Sequence, residues 1–139
     1  MIELFGSFKG STSKLPFYDV SVSAGIPIPI DTDSHTVIDL NEFLIEHPNT
    51  TFFARITGDE LSPVGISNGD ILIIDTDVEL VDGKLVLATL DDNLTVKYYR
   101  NIDGEQYLES HDSFFTPLEL GDELSWKIIG VITKIVHSI

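Results

Sequence analysis

The stretch KLVLATLDDNLTVKYYR, residues 84–100, reads as two β-strands with a turn between them. KLVLATL and LTVKYYR are rich in β-branched, aromatic and other apolar residues, and Asp91, Asp92 and Asn93 separate them as a hairpin turn would. The same signal recurs on both sides. TTFFARIT (50–57) is β-branched and aromatic, and DILIID (70–75) is a short apolar run. NIDGEQYLES (101–110) carries an Asp-Gly turn. WKIIGVITKIVHSI (126–139) is a long last strand in which Gly130 marks a bulge or bend. Six or more short strands with turn punctuation predict an all-β domain of barrel or sandwich type.

Upstream the pattern changes. GSFKGSTSK (6–14) is small and polar, and GIPIPID (25–31) places prolines at 27 and 29, which favours extended backbone over helix. Residues 1–38 are therefore expected to form an extended arm ahead of a β domain over 39–139. One helix is expected, over residues 39–47. Asp39 caps it, Glu42 stands three residues on as in a capping box, Leu40, Phe43 and Leu44 share a face, and Pro48 stops it.

Composition narrows the function classes. The chain has 139 residues, 42% of them hydrophobic, enough for one folded domain. Eight Lys and Arg against 23 Asp and Glu give a net charge of −15. Such a field repels phosphate backbones, and the basic residues are scattered, so no direct nucleic-acid binding is expected and a protein or self-partner is favoured. No apolar run approaches the ~20 residues that span a bilayer, and MIELFGSFKG is not a secretory leader. A cytoplasmic protein without membrane contact is expected. With no cysteine, disulfides, thiol catalysis and thiolate metal sites are excluded. His35, His47, His111 and His137 are isolated from one another and suggest no metal site; no cofactor is expected.

Two positions carry the chemical interest. Strand alternation puts Thr95, Lys97 and Tyr99 on one face of their strand and Leu94, Val96 and Tyr98 on the other. Lys97 either extends its amine to solvent or is partly desolvated, which would make it a usable base; both readings stay open here. In RITGDELSPVG (55–65), Gly58 and Asp59 suit a tight turn, but a turn does not account for Glu60.

The runs ARITGDELSPVGISNGDILIID (54–75) and DGKLVLATLDDNLTVKYY (82–99) resemble the self-cleaving Ser–Lys peptidase domain of the LexA and UmuD family. VSAGIPIP (22–29), IDLNEFLIEHP (38–48) and IIGVITKIVHSI (128–139) extend the resemblance in the same order. The short arm, with no room for a three-helix DNA-binding head, is closer to UmuD than to a LexA repressor. The resemblance implies a mainly β fold of short strands with one short helix and an extended N-terminal arm. It also implies self-cleavage at Ala24–Gly25, a general base at Lys97, and a serine nucleophile in a Gly-Asp-Ser-Met motif. Here that motif reads Gly58-Asp59-Glu60-Leu61, so Glu60 occupies the serine position.

Glu60 has no hydroxyl, and its carboxylate is a poor nucleophile toward an amide. An adjacent carboxylate would also keep Lys97 protonated, so an ion pair between Glu60 and Lys97 is expected in place of the catalytic dyad. Whether the chain is an enzyme is left open by the residues. The leading expectation is a UmuD-like accessory protein of the SOS response that does not cleave itself. By resemblance it would form a homodimer and act with the RecA filament and a Y-family translesion polymerase. The alternatives are an active self-cleaving endopeptidase using Ser62 or another group, and a dimer-partner antagonist from a mobile element.

Overall fold

The computed structural model describes residues 2–5, 14–17, 36–111 and 117–139. It contains β1 (Ile2–Phe5), β2 (Lys14–Phe17), β3 (Thr36–Asp39), α1 (Leu40–Leu44), β4 (Thr51–Ile56), β5 (Ile71–Asp75), β6 (Leu85–Leu90), β7 (Asn93–Ile102), β8 (Glu105–Glu109), β9 (Leu118–Glu119) and β10 (Trp126–Val136). A 3₁₀ turn over Ser62–Val64 stands between β4 and β5. The fold is mainly β, as the strand patterns predicted.

Eight strands form one antiparallel sheet in the order β1-β4-β5-β10-β6-β7-β8-β9. Two of its hairpins follow directly from turn chemistry. Leu90 pairs with Asn93, leaving Asp91 and Asp92 as a two-residue loop with φ of 47° and 66°. Ile102 pairs with Glu105 around Asp103 and Gly104, at 53° and 87°. Two consecutive positive φ values match the right-handed twist of the flanking strands, and aspartate and glycine tolerate them best.

β10 is the central strand, paired with β5 on one side and β6 on the other. Its register shifts between Ile128 and Gly130, the irregularity that Gly130 predicted. A Cβ on Gly130 would come within 2.8 Å of the Asp75 carbonyl oxygen, so only glycine lets the two backbones approach this closely.

The core lies on both sides of this sheet. Leu72, Ile74, Leu87, Val96 and Ile132 join Ala54, Ile56 and Ile66 in one buried cluster. Val86, Ala88, Tyr99, Leu108, Leu120 and Val131 form another. Successive residues of β6 thus enter opposite clusters, which is why 85–88 reads as an uninterrupted apolar run. Val96 and Tyr99 likewise fall in different clusters, as alternation along β7 requires.

The chain divides into two compact units, one of residues 1–8 and 47–139, the other of residues 9–46. The division does not fall at 38/39, where the arm was expected to end. β1 pairs with β4 in the large sheet, whereas β3 pairs with β2, so β3 and α1 go with the smaller unit. In that unit the rings of Phe17 and Phe43 lie 6.3 Å apart.

The helix expected over 39–47 is shorter. Asp39 does cap α1, but its Oδ1 accepts from the Asn41 amide at 2.9 Å, and the helix ends at Leu44. Ile45 is extended and buried. One turn has little cooperative gain, and burying the β-branched Ile45 favours the extended backbone.

Candidate functional site

The 57–66 loop is built by backbone hydrogen bonds on both sides of its tip. Gly69 N–H donates to the Ile56 carbonyl at 2.7 Å, and the Ile56 amide returns a bond to the Asp70 carbonyl at 2.9 Å. The Gly58 amide donates to Asn68 Oδ1 at 2.8 Å. Gly58 holds a φ of 111°, a value that side-chain-bearing residues rarely adopt. The 3₁₀ turn follows, with Ser62 N–H donating to the Asp59 carbonyl and left-handed Gly65 closing it. Leu61 packs its side chain onto the first core cluster together with Val64. The half-buried leucine anchors the loop and leaves its neighbour Glu60 exposed.

Glu60 and Leu61 line a cleft of about 490 Å³. Ile56 and Thr57 line it beside them, the opposite wall is the first half of β7 with its preceding turn, Asp92 to Lys97, and His111 also lines it. Lys97 is therefore in the same cleft as Glu60.

The two side chains do not form the expected ion pair. Lys97 Nζ donates to Ser110 Oγ at 2.8 Å, and no salt bridge joins it to Glu60. The Glu60 carboxylate instead folds back over its own loop, into the space where a Cβ on Gly58 would stand. The physical reason is solvation. An exposed carboxylate keeps its hydration, and bringing it to a lysine would cost side-chain entropy for a small Coulomb return.

Ser62 does not line the cleft; it is exposed, at the start of the 3₁₀ turn. Ala24, Gly25 and His35 lie outside the described residues. Among the described residues, no group of three or more His, Cys, Asp or Glu side chains could hold a metal ion. Also among them, no helix is long and apolar enough to cross a membrane.

Three of the four histidines can be placed. His111 is in the cleft. His47 and His137, read from sequence as isolated, each engage a buried aspartate. His47 Nδ1 lies 2.5 Å from Asp75 Oδ2, and His137 Nδ1 lies 2.6 Å from Asp70 Oδ1. Burial alone would raise both carboxyl pKa values, but hydrogen bonds win and both end below the ordinary aspartate value. Asp70 accepts from the Ser67 amide and from His137; Asp75 accepts from the Asp77 amide, His47 and Thr50. These partners are 28 and 67 residues apart, beyond any local spacing rule. The available signal was the pair of aspartates bounding the ILII run.

Ser110 and Asp92 were also missed as members of the site. Ser110 could have been found by counting. Five residues back and five forward from the Ile102–Glu105 pair that closes the Asp103-Gly104 turn bring Lys97 opposite Ser110.

A sequence profile for the family described as peptidase S24-like matches residues 16–133. Protein SamA of Salmonella typhimurium is 30% identical over 125 residues, covering 90% of this chain and 86% of SamA. Protein MucA of the same species is 31% identical over 97 residues, covering 69% of this chain and 66%, just under two thirds, of MucA. The LexA repressor of Arthrobacter is 31% identical over 118 residues, covering 85% of this chain but 46% of the repressor.

Proposed function

Because the chain belongs to the peptidase S24-like family, in its UmuD-like branch, we propose that it is an SOS-response accessory protein for translesion synthesis that does not cleave its own arm. The observation that carries the reading is the cleft. Glu60, which we read as the family's serine position from the resemblance of its Gly58-Asp59-Glu60-Leu61 motif, lines it together with Lys97, whose amine is engaged by Ser110. A carboxylate there supplies no hydroxyl for attack, and its negative charge opposes an oxyanion forming on the scissile carbonyl.

The acidic surface supports action through proteins, as a homodimer that meets the RecA filament and a Y-family polymerase. The reading with Ser62 as nucleophile draws no support, since its hydroxyl makes no hydrogen bond to Lys97, whose amine donates to Ser110 instead.

The test is incubation of the full chain with RecA filaments on single-stranded DNA, followed by co-sedimentation and intact-mass analysis. The expected result is that the uncleaved chain sediments with the filament. Accumulation of a fragment spanning 25–139 would overturn the non-cleaving reading, and absence of the chain from the filament pellet would overturn the accessory role. Glu60→Ser is expected to give the 25–139 fragment in the same assay, because Lys97 is already in the cleft.

A further inference from the structure

Lys97 and Ser110 make a contact that the family motif does not contain. They stand opposite each other one step beyond the last paired residues, Tyr98 and Glu109, and the amine and hydroxyl are 2.8 Å apart. Ser110 is half-buried and stands at the margin of the 490 Å³ cleft: its own side chain does not line it, but Lys97, to which its hydroxyl is bonded, and His111, the next residue in the chain, both do. A serine hydroxyl within hydrogen-bond reach of a lysine amine is the arrangement by which a neutral amine activates a serine.

We propose that Ser110 and Lys97 form a relocated serine–lysine couple that accepts acyl groups from activated carboxylic esters entering the cleft. With Lys97 as the free amine, Ser110 Oγ bonds to the acyl carbon while its proton passes to Nζ. The ester C–O bond then breaks, and the leaving alkoxide takes that proton from Nζ. Water cleaves the acyl–Ser110 ester by the same route, giving its proton to Lys97, which returns it to Ser110 Oγ.

The donor class follows from the other wall. Glu60 places negative charge at the cleft, which disfavours the oxyanion. An activated ester tolerates that because its leaving group departs readily, whereas an amide does not. The couple is thus compatible with an arm that stays uncut, and its test is independent of the cleavage assay.

A fluorophosphonate probe applied to the full chain between pH 7 and 10, with the adduct mapped by peptide mass spectrometry, decides the matter. The adduct is expected on Ser110, forming faster as pH rises, and about 100-fold more slowly in Lys97→Met, the scale of a lost general base. Labelling of the unaltered chain needs no variant to fold. An adduct on Ser62, or on no serine, overturns the proposal. So does a Ser110 adduct that forms at an undiminished rate in a Lys97→Met protein that retains the parent's circular dichroism.

Discussion

The Glu60–Lys97 cleft and the two ends of β5 pose the same electrostatic problem and solve it differently. In the cleft, a carboxylate and an amine share a cavity and leave each other alone. At the ends of β5, Asp70 and Asp75 each reach a histidine that the chain supplies from far away, His137 and His47. Burial separates the cases. The side chains of Asp70 and Asp75 are 2% and 4% exposed, whereas Glu60 is open to water. A carboxylate stripped of water must recover its hydrogen bonds from the protein, while a hydrated one gains little by pairing. Sharing a cleft is therefore weaker ground for an ion pair than burial is.

The largest effect that follows is at Asp75. Its carboxylate accepts from His47, from Thr50 Oγ1 at 2.8 Å and from the Asp77 amide at 2.9 Å, so it ties the end of β5 to the segment leading into β4. Asp75→Ala is expected to cost about 2–3 kcal/mol, the range for donors deprived of a buried acceptor. Denaturant unfolding measures it. Asp75→Asn keeps an acceptor for Thr50 and Asp77 and is expected to cost less. Equal costs for the two variants would mean that charge, and not acceptor count, holds this end.

These two clamps show where the sequence was legible and where it was not. Local rules found β4 to β8 and β10, both two-residue turns and the irregularity at Gly130, because each depends on residues within a few positions of one another; β1, β2, β3 and β9 were not read as strands. The GDEL loop and Lys97 were singled out as a site by the resemblance to a family and not by local rules. The end of α1 was misplaced because capping at Asp39 starts a helix but does not determine its length; burial of Ile45 does. His47 and His137 were set aside because their partners are brought to them only by the sheet. The Glu60–Lys97 ion pair was expected from proximity alone, and the outward fold of the carboxylate over Gly58 has no local sequence signal.

Acid should act on the β5 clamps next. Both aspartates titrate below the ordinary carboxylate value in the folded chain. A depressed folded pKa contributes stability that is fully present above the unfolded pKa of 3.8 and is lost as pH falls through the folded value. The melting temperature is expected to drop as pH falls below about 4, and Asp70→Asn should flatten that drop. An Asp70→Asn protein with the parent's acid profile would show that Asp70 is not held low by Ser67 and His137.

The smallest expected effect separates the two regions most directly. Double-mutant cycles measure pairwise coupling free of the separate costs of each change. For Asp70→Asn with His137→Gln, the coupling is expected at about 1 kcal/mol, since a charge-assisted hydrogen bond to a buried carboxylate is removed. For Glu60→Gln with Lys97→Met, it is expected within ~0.3 kcal/mol of zero, as for residues that do not touch. A cleft coupling above ~0.5 kcal/mol would mean that the carboxylate and amine do meet in solution, and would return the site to an ion pair standing in for the dyad. Near-zero coupling leaves Lys97 bound to Ser110 and uncommitted to Glu60. In that case the non-cleaving reading we propose would rest on the missing hydroxyl at Glu60 and not on capture of the base. Glu60→Ser then has a lysine to work with.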